Sequence, residues 1–383
     1  MRKLSILFLA VFFQYTCGNA VNPVFAPLAA RTGMSVVQTG LFFTLSSLVW
    51  LIASPFWGRQ SERRGRTNVM FIGLVSCFIL YALFGIVANW GLTHHPSPMV
   101  LFVLLLLIRI ASGFFFSTVP VAAQAYIADT TSGMERTRSI SLVWMASGLG
   151  SIVGPSLSLL SKANLMTPLY IGAILPLLGG ILVMTHLPRS QVKRMDGSLK
   201  SASRISPFDR RVWRMLATVS ALQASVLAIQ VTSGFLIQRE FHVSSTQAAQ
   251  RIGLLFTITG IVSVATQWVF ARRLRFSSAW LLRVGRPFLL LCAVFLLFHT
   301  HFAALVAAFG ALGFGIGCVL PGATSAASLA VRADEQGAVA GRISAAQGLG
   351  TALGPLVGTV LYDQNTTLPA IFVGILFSGL MMV

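Results

Sequence analysis

The sequence predicts an all-α membrane protein, with twelve transmembrane helices in two pseudo-symmetric bundles of six. Hydrophobic residues make up 55% of the chain and charged residues only 10%, with a mean hydropathy of +0.81. That is too little charge to cover a soluble protein of this size. The apolar residues form runs of about 17–28, long enough to span a bilayer as helices. A ten-residue stretch, 146–155, recurs at 346–355 with six identical positions, which predicts two related halves.

Twelve apolar segments define the predicted helices, and the last is barely long enough to span. The segments predict an N-terminal bundle at 1–187, a basic cytoplasmic linker at 188–211 and a C-terminal bundle at 212–383. Because the linker is basic, a helix lying on the membrane surface is the alternative structure for it. The predicted helices lie at about 4–29, 38–57, 68–90, 99–127, 139–161, 167–187, 212–236, 250–271, 284–300, 302–329, 340–361 and 367–383.

Positive charge alternates between the connecting loops. The chain has 28 Lys and Arg against 9 Asp and Glu, and most of the cations lie at the N-terminus and in the even-numbered loops. Such alternation predicts that both termini are cytoplasmic. It also explains the net charge of +19 without nucleic acid, since basic patches interleaved with stacking aromatics are absent. The first run, to about residue 29, is too long and too polar for a signal peptide.

The segment 58–66 between the second and third runs is short, rich in arginine and framed by glycines. It resembles the G-x-x-x-D-R-x-G-R loop of the major facilitator superfamily, with Glu62 in place of the usual Asp. The matching residues are Gly58, Arg63, Gly65 and Arg66. Over its whole length the chain is most similar to the drug:proton antiporter branch, which includes tetracycline, multidrug and siderophore exporters.

The resemblance implies that this loop is a conformational latch that breaks when the two halves rock. Its arginines would reach Asp129 at the cytoplasmic end of the fourth helix, and Glu62 would meet the start of the eleventh. The alternative is that the arginines only fix the topology. The predicted latch residues are Gly58, Glu62, Arg63, Gly65, Arg66 and Asp129.

A glycine pattern in the fifth helix resembles the family's G-x-x-x-G-P antiporter motif, which favours export. Its residues are Gly148, Gly150, Gly154 and Pro155. Glycines four apart also let helices approach closely, so plain helix packing is the alternative. A second copy at Gly350, Gly354 and Pro355 favours packing, since a packing device is expected in both halves.

Arg109 lies roughly 15 Å from the outer end of the fourth helix. It begins a stretch that resembles the family's R-x-x-Q-G motif, with Ser112 in place of Gln. A guanidinium at that depth is costly unless it faces a wet cavity and has partners. None of the nine acids lies well inside a predicted helix. Arg109 therefore either binds an anionic substrate or is satisfied by amides and helix carbonyls.

Amides and aromatic residues complete the predicted substrate site. The first helix carries a polar stripe, and polar groups inside a membrane face the bundle interior. Interhelical hydrogen bonds are the alternative for the amides, and packing is the alternative for the aromatics. The predicted substrate-binding residues are Arg109, Gln14, Tyr15, Asn19, Asn22, Phe116, Gln124, Gln223 and Gln230.

These features predict a secondary transporter that works by alternating access, with substrate bound between the halves as the resemblance implies. It would be a monomer in the bacterial inner membrane that exports an amphiphilic or anionic molecule, such as a drug or a carboxylate siderophore. Import of an organic anion or nutrient is the alternative, and a non-transporting sensor is a second. The sequence has no ATP-binding G-x-x-x-x-G-K-[ST] motif, metal-ligand cluster or nucleophile triad. We expect no cofactor, no metal and no enzymatic activity; the resemblance implies a proton gradient as the energy source.

Overall fold

A computed structural model describes residues 2–131, 133–161, 164–188, 206, 209–272, 277–332 and 335–382. The described residues form helices and no strand, which confirms the all-α prediction. A 3₁₀ turn, Leu157–Leu160, follows the seventh helix. The α-helices are α1 Arg2–Ala20, α2 Asn22–Arg31, α3 Val36–Arg64, α4 Arg66–His94, α5 Pro98–Phe116, α6 Thr118–Thr130, α7 Gly133–Ser156, α8 Thr167–His186, α9 Trp213–Phe241, α10 Ser245–Arg272, α11 Ser278–Leu297, α12 Phe302–Leu329, α13 Gln336–Gln364 and α14 Leu368–Met382.

The first and fourth predicted helices are each broken in two, so the prediction of continuous helices there is wrong. The breaks fall at Val21, between α1 and α2, and at Ser117, between α5 and α6. Each is followed within three residues by a proline, which has no N–H to continue the helical ladder. Each pair is still apolar and long enough to form one span, as Lys3–Arg31 and Pro98–Thr130.

The arginine-rich segment 58–66 is helical over most of its length and is not the loop that the sequence predicted. Helix α3 continues to Arg64 and α4 begins at Arg66, so Gly65 alone separates them. Its φ of 88° lies in the left-handed region, which glycine adopts without a steric penalty. A single glycine therefore turns the chain between two 29-residue helices.

Ten spans in the described residues are long and apolar enough to cross a membrane, and Leu368–Met381 is a shorter apolar helix. The structure therefore has the helices of a multi-pass membrane protein. The ninth predicted helix begins at Ser278, about six residues earlier than expected. The Ser277 hydroxyl accepts a hydrogen bond from the backbone N–H of Trp280 there, a common way to start a helix.

The contacts divide the chain into two compact units. Unit 1 comprises Met1–Gln38, Leu45–Arg194 and Val243–Thr257, and unit 2 comprises Thr39–Thr44, Met195–His242 and Ile258–Val383. In unit 1, α1 packs against α7 and α8; in unit 2, α9 packs against α13, and α11 against α12 and α14. The predicted linker, 188–211, lies mostly outside the described residues, and the predicted domain boundaries stay a prediction.

Candidate functional site

Arg109 projects from α5 and donates a hydrogen bond from Nη1 to the Tyr81 hydroxyl of α4, at 2.8 Å. Tyr81 is buried, with 4% of its surface exposed, whereas Arg109 is half-buried. The phenol is neutral, so this bond orients the guanidinium without cancelling its charge. Tyr81 was not predicted as a partner, although it is the only tyrosine of its helix.

Gln14 is completely buried in α1. Its amide nitrogen donates to the carbonyl oxygen of Phe116 at 3.1 Å and to Sγ of Cys77 at 3.5 Å. Phe116 is the last residue of α5, where the break leaves helix carbonyls without their usual partners. Gln14 of α1 is therefore hydrogen-bonded to both α4 and α5. This agrees with the alternative prediction for the amides, that they form hydrogen bonds between helices. The Oε1 of Gln14 has no hydrogen-bond partner among the described residues.

Three other predicted residues, Tyr15 and Asn19 of α1 and Asn22 of α2, form a chain of hydrogen bonds along the first span. The Asn22 amide donates to Oδ1 of Asn19 at 3.1 Å. The Asn19 amide donates to the Tyr15 carbonyl at 2.8 Å and to the hydroxyl of Ser151 in α7 at 3.4 Å. The Tyr15 and Phe116 rings meet edge to face, with centroids 5.2 Å apart. These four predicted residues thus lie together in unit 1.

Three further predicted ligands are half-buried glutamines. Gln124 lies on α6 in unit 1, whereas Gln223 and Gln230 lie on α9 in unit 2. Their part in substrate binding stays a prediction.

The predicted latch is centred on Arg66. Its Nε lies 3.0 Å from Oδ2 of Asp129, and its Nη1 donates to the Ser61 hydroxyl at 2.6 Å. Its Nη2 lies 3.9 Å from Oε1 of Glu62. The Ser61 hydroxyl in turn donates to the Gly58 carbonyl at 2.7 Å. Ser61 is thus a member of this network that the sequence analysis missed.

The Arg66 side chain is only 13% exposed, so solvent screens its ion pairs less than it screens a pair on the surface. Arg63, another predicted latch residue, has an exposed side chain and is not part of the network around Arg66. The role of the segment in conformational change stays a prediction.

The glycines of the predicted antiporter motif differ in their surroundings. A Cβ built on Gly150 would meet the Phe12 carbonyl oxygen of α1 at 2.8 Å, and one on Gly154 would meet the Thr16 carbonyl oxygen at 2.6 Å. A Cβ on Gly148 would meet nothing within 4 Å. Close approach to α1 therefore depends on the second and third glycines.

The second copy of the motif packs in the same way on the first helix of its own unit. A Cβ on Gly350 would overlap the Ser220 carbonyl oxygen of α9, and one on Gly354 would overlap that of Ala224. The two copies therefore make equivalent helix contacts, α7 on α1 and α13 on α9.

An ionic cluster at the start of α9 was not predicted from the sequence. Arg211 donates two hydrogen bonds to Glu335, from Nη1 to Oε2 at 2.9 Å and from Nη2 to Oε1 at 3.1 Å. Its Nη2 also lies 2.8 Å from Oδ2 of Asp209. The Arg332 backbone N–H donates to Glu335 Oε2 at 3.0 Å. We call these four residues the Arg211 anchor, because they tie the chain before α9 to the segment before α13.

The anchor changes the acidity of its carboxylates. Hydrogen bonds from the Arg211 side chain and then from the Arg332 backbone lower the pKa of Glu335 to about 2. The Arg211 side chain likewise lowers the pKa of Asp209. Both carboxylates therefore stay ionised at any physiological pH.

Neither a disulfide nor a metal centre is found in the part of the chain that the structure describes. The four cysteines are free and buried, as predicted for small core residues. No group of three or more His, Cys, Asp or Glu within the described ranges is placed to hold a metal ion.

The sequence profile of the Major Facilitator Superfamily matches residues 7–298 and, in a second match, residues 215–383. The chain belongs to the Major Facilitator Superfamily. It is a multi-pass membrane transporter and not an enzyme, and the twelve-helix fold predicted from the sequence is the fold of this superfamily.

Known proteins of the Major Facilitator Superfamily resemble this chain over nearly its whole length. Solute carrier family 22 member 18 of Rattus norvegicus is 28% identical over 382 residues, which cover 94% of this chain and 87% of that protein. Multidrug resistance protein 2 of Bacillus subtilis (strain 168) is 24% identical over 379 residues, with 96% and 91% covered.

Solved structures of the superfamily share the fold at low sequence identity. The nucleoside transporter NupG, as a D323A mutant, has a TM-score of 0.77 at 15% identity, with 99% of both chains covered. The human organic anion transporter MFSD10 has a TM-score of 0.64 at 19% identity, with 100% of this chain and 98% of that chain covered. Likeness at these identities shows the fold alone.

The Arg211 anchor makes a testable prediction about this transporter. Replacing Arg211 with alanine leaves Glu335, which is 8% exposed, without its two strongest donors. We expect the midpoint of thermal unfolding in detergent to fall, and transport to fall severalfold. The matched control is Arg210→Ala, which removes the same charge from an exposed neighbour and should leave both measurements unchanged.

The pH dependence of unfolding shows whether Arg211→Ala acts through the lost bonds to Glu335 or only through the loss of one positive charge. Glu335 has a folded-state pKa of about 2 against an ordinary value of 4.5. Its stabilising contribution is therefore complete above pH 4.5 and is lost as the pH falls toward 2. Arg211→Ala should reduce this acid-sensitive contribution. An identical acid dependence in the wild type and the variant would contradict the role given to Arg211.

Proposed function

We propose that this transporter exports amphiphilic organic anions from the cytoplasm, and that Arg109 binds the anionic group. The observation that carries the proposal is the position of Arg109, a half-buried cation on a membrane-spanning helix, held by a neutral phenol. A positive charge in that setting attracts a negative charge strongly, because the surroundings screen it poorly. Ionisable groups within membrane spans commonly mark a substrate or ion pathway.

The polar and aromatic groups of α1, α2 and α5 suit an amphiphilic ligand. Gln14 has an amide oxygen without a partner in the described part of the chain. Asn19 and Asn22 supply further amides, and the Tyr15 and Phe116 rings supply an apolar edge. A ligand with one negative group and an apolar body would match this set, as carboxylate drugs do, and carboxylate siderophores share its anionic group. Most ligand sites combine a few polar groups with an apolar lining in this way.

The names of the relatives support the direction and the ligand class. The curated relatives include multidrug resistance proteins of Bacillus subtilis and the class C tetracycline resistance protein of Escherichia coli, and such names are typical of exporters. One solved relative is named an organic anion transporter. By this analogy the chain works as a monomer in the bacterial inner membrane, with both termini in the cytoplasm. It alternates access and uses a proton gradient.

The experiment compares the two orientations of the membrane. Everted and right-side-out vesicles from cells that express the protein are given a carboxylated fluorescein dye or its neutral ester. Export of organic anions predicts energy-dependent uptake of the acid into everted vesicles only, which a protonophore stops. The ester should enter as it does in vesicles without the protein. No uptake of the acid above background in either orientation would overturn the proposal.

Import is the second candidate, since a solved relative is named a nucleoside transporter. It predicts uptake into right-side-out vesicles.

For the siderophore class, a deletion strain grown in low iron should retain a carboxylate siderophore inside the cell and secrete less of it. Unchanged secretion would remove siderophores from the ligand class without affecting the dye result.

A further inference from the structure

A histidine and a glutamate lie together at the end of α9 that is distant from the Arg211 anchor. His299 follows the end of α11 by two residues, and its Nε2 lies 3.6 Å from Oε1 of Glu240. The side chains are 10% and 22% exposed, respectively. Helix α9 has 29 residues, so this pair is roughly 40 Å along the helix from the anchor. It therefore lies at the opposite membrane face.

The hydrogen bonding of His299 determines which of its ring nitrogens carries a proton. Nδ1 lies 3.2 Å from the carbonyl oxygen of Leu296. A carbonyl oxygen only accepts, so Nδ1 must carry the hydrogen. In a neutral ring Nε2 would then present a lone pair to the Glu240 carboxylate, and two electron-rich atoms repel. The contact is attractive only if one further proton lies on Nε2 or on the carboxylate.

We infer that Glu240 and His299 form a proton-binding site in unit 2, in which one exchangeable proton makes their 3.6 Å contact attractive. The bound proton ties the end of α9 to the segment after α11. Its release leaves a lone pair facing a negative charge and weakens that contact.

The surroundings of the pair contain few other ionisable groups. On α9, Arg239 is exposed. On α13, Tyr362 is 5% exposed and lies within electrostatic range of both Arg239 and Glu240. His301 is exposed, two residues after His299. His242, two residues after Glu240, and Asp363, the neighbour of Tyr362, are also exposed. Helix α14 has no ionisable side chain, and neither has α12 before Cys318. The nearby charges and titratable groups are thus few enough for the pair to be studied separately.

A small cavity in unit 2 lies against Leu296, three residues before His299. The cavity, of about 20 Å³, is lined by residues that include Thr232, Ser233, Leu296 and Tyr362, and that volume suffices for one water molecule. Leu296 is the residue whose carbonyl accepts from His299. The Tyr362 hydroxyl is buried without a hydrogen-bond partner among the described residues.

The test is nuclear magnetic resonance of the full-length protein in detergent, labelled with ¹⁵N at the histidine rings. The signals lost in His299→Gln identify His299. We expect its Nδ1 to be protonated throughout the range from acid to alkaline. We also expect its Nε2 to exchange a proton with a pH response that Glu240→Gln changes. His301→Gln, the matched control, should leave the response of His299 unchanged.

Two results would overturn the site. The first is an Nδ1 that loses its proton within the range; the second is an unchanged Nε2 response in Glu240→Gln. Should that variant fail to fold, Glu240→Asp withdraws the carboxylate by one methylene and should also change the response. The measurement needs no substrate, so its failure is distinct from failure of the proposed function.

Discussion

Replacing Arg109 with alanine is expected to abolish transport of an anionic substrate while the protein still folds. The substitution removes the cation that we propose binds the anion, and the loss of one partner from a desolvated charge pair costs about 2–5 kcal/mol. That corresponds to a fall of roughly 30- to 4,000-fold in the transport efficiency kcat/KM. The measurement is initial uptake of the carboxylated dye into everted vesicles at several dye concentrations.

Three variants show whether the effect belongs to the charge of Arg109. Arg109→Lys keeps a cation but loses the planar fork, and it should retain part of the activity. Tyr81→Phe removes the hydroxyl that receives Nη1; we expect a loss of about tenfold, because one hydrogen bond to a charged group contributes about 1.5 kcal/mol. Arg210→Ala removes an exposed cation and should have no effect.

The oligomeric profile of each variant in detergent serves as the folding control. Full transport activity of Arg109→Ala would contradict the proposal that Arg109 binds the substrate. Equal loss for the acid and for an uncharged substrate would show that Arg109 supports the fold or the conformational cycle and not the anion.

The membrane spans were predictable because their signal is local. Each span is a run of neighbouring apolar residues that must satisfy its own backbone hydrogen bonds inside the bilayer. The same locality explains the errors. The break at Ser117 is stabilised by contacts from far along the chain, since the freed carbonyl of Phe116 accepts a bond from Gln14, 102 residues away. No pattern around Ser117 indicates that partner.

The partners of the charged residues were less predictable than the charged residues themselves. The sequence identified Arg109 by its depth in a predicted helix, and Arg66 by the resemblance of segment 58–66 to the family's loop. It did not identify Tyr81, which is 28 residues from Arg109, or Glu335, which is 124 residues from Arg211. Such pairs depend on which helices become neighbours, and that is decided by packing over the whole unit. The pairing of Arg66 with Asp129, which the resemblance implied, is present at 3.0 Å.

Replacing Gly154 with alanine is expected to destabilise the contact between α1 and α7, whereas the same change at Gly148 is not. The added Cβ at Gly154 would lie 2.6 Å from the backbone oxygen of Thr16 and 2.8 Å from Cβ of Asn19. A backbone atom cannot swing aside as a flexible side chain does, so the helices must separate. Overpacking of this kind costs about 1–3 kcal/mol. At Gly148 the methyl enters open space, and better helix propensity adds up to about 1 kcal/mol of stability.

Glycine-to-alanine variants also distinguish the two interpretations of the glycine motif, a role in transport and plain helix packing. Thermal unfolding in detergent measures the packing cost, and vesicle uptake at a temperature where both variants remain folded measures transport. Packing alone predicts that Gly154→Ala and Gly354→Ala lower stability alike, because both glycines approach the first helix of their unit. It also predicts that transport falls only as far as folding does. A loss of transport in Gly154→Ala at full folding, with Gly354→Ala active, would instead give the first copy a role in the transport cycle.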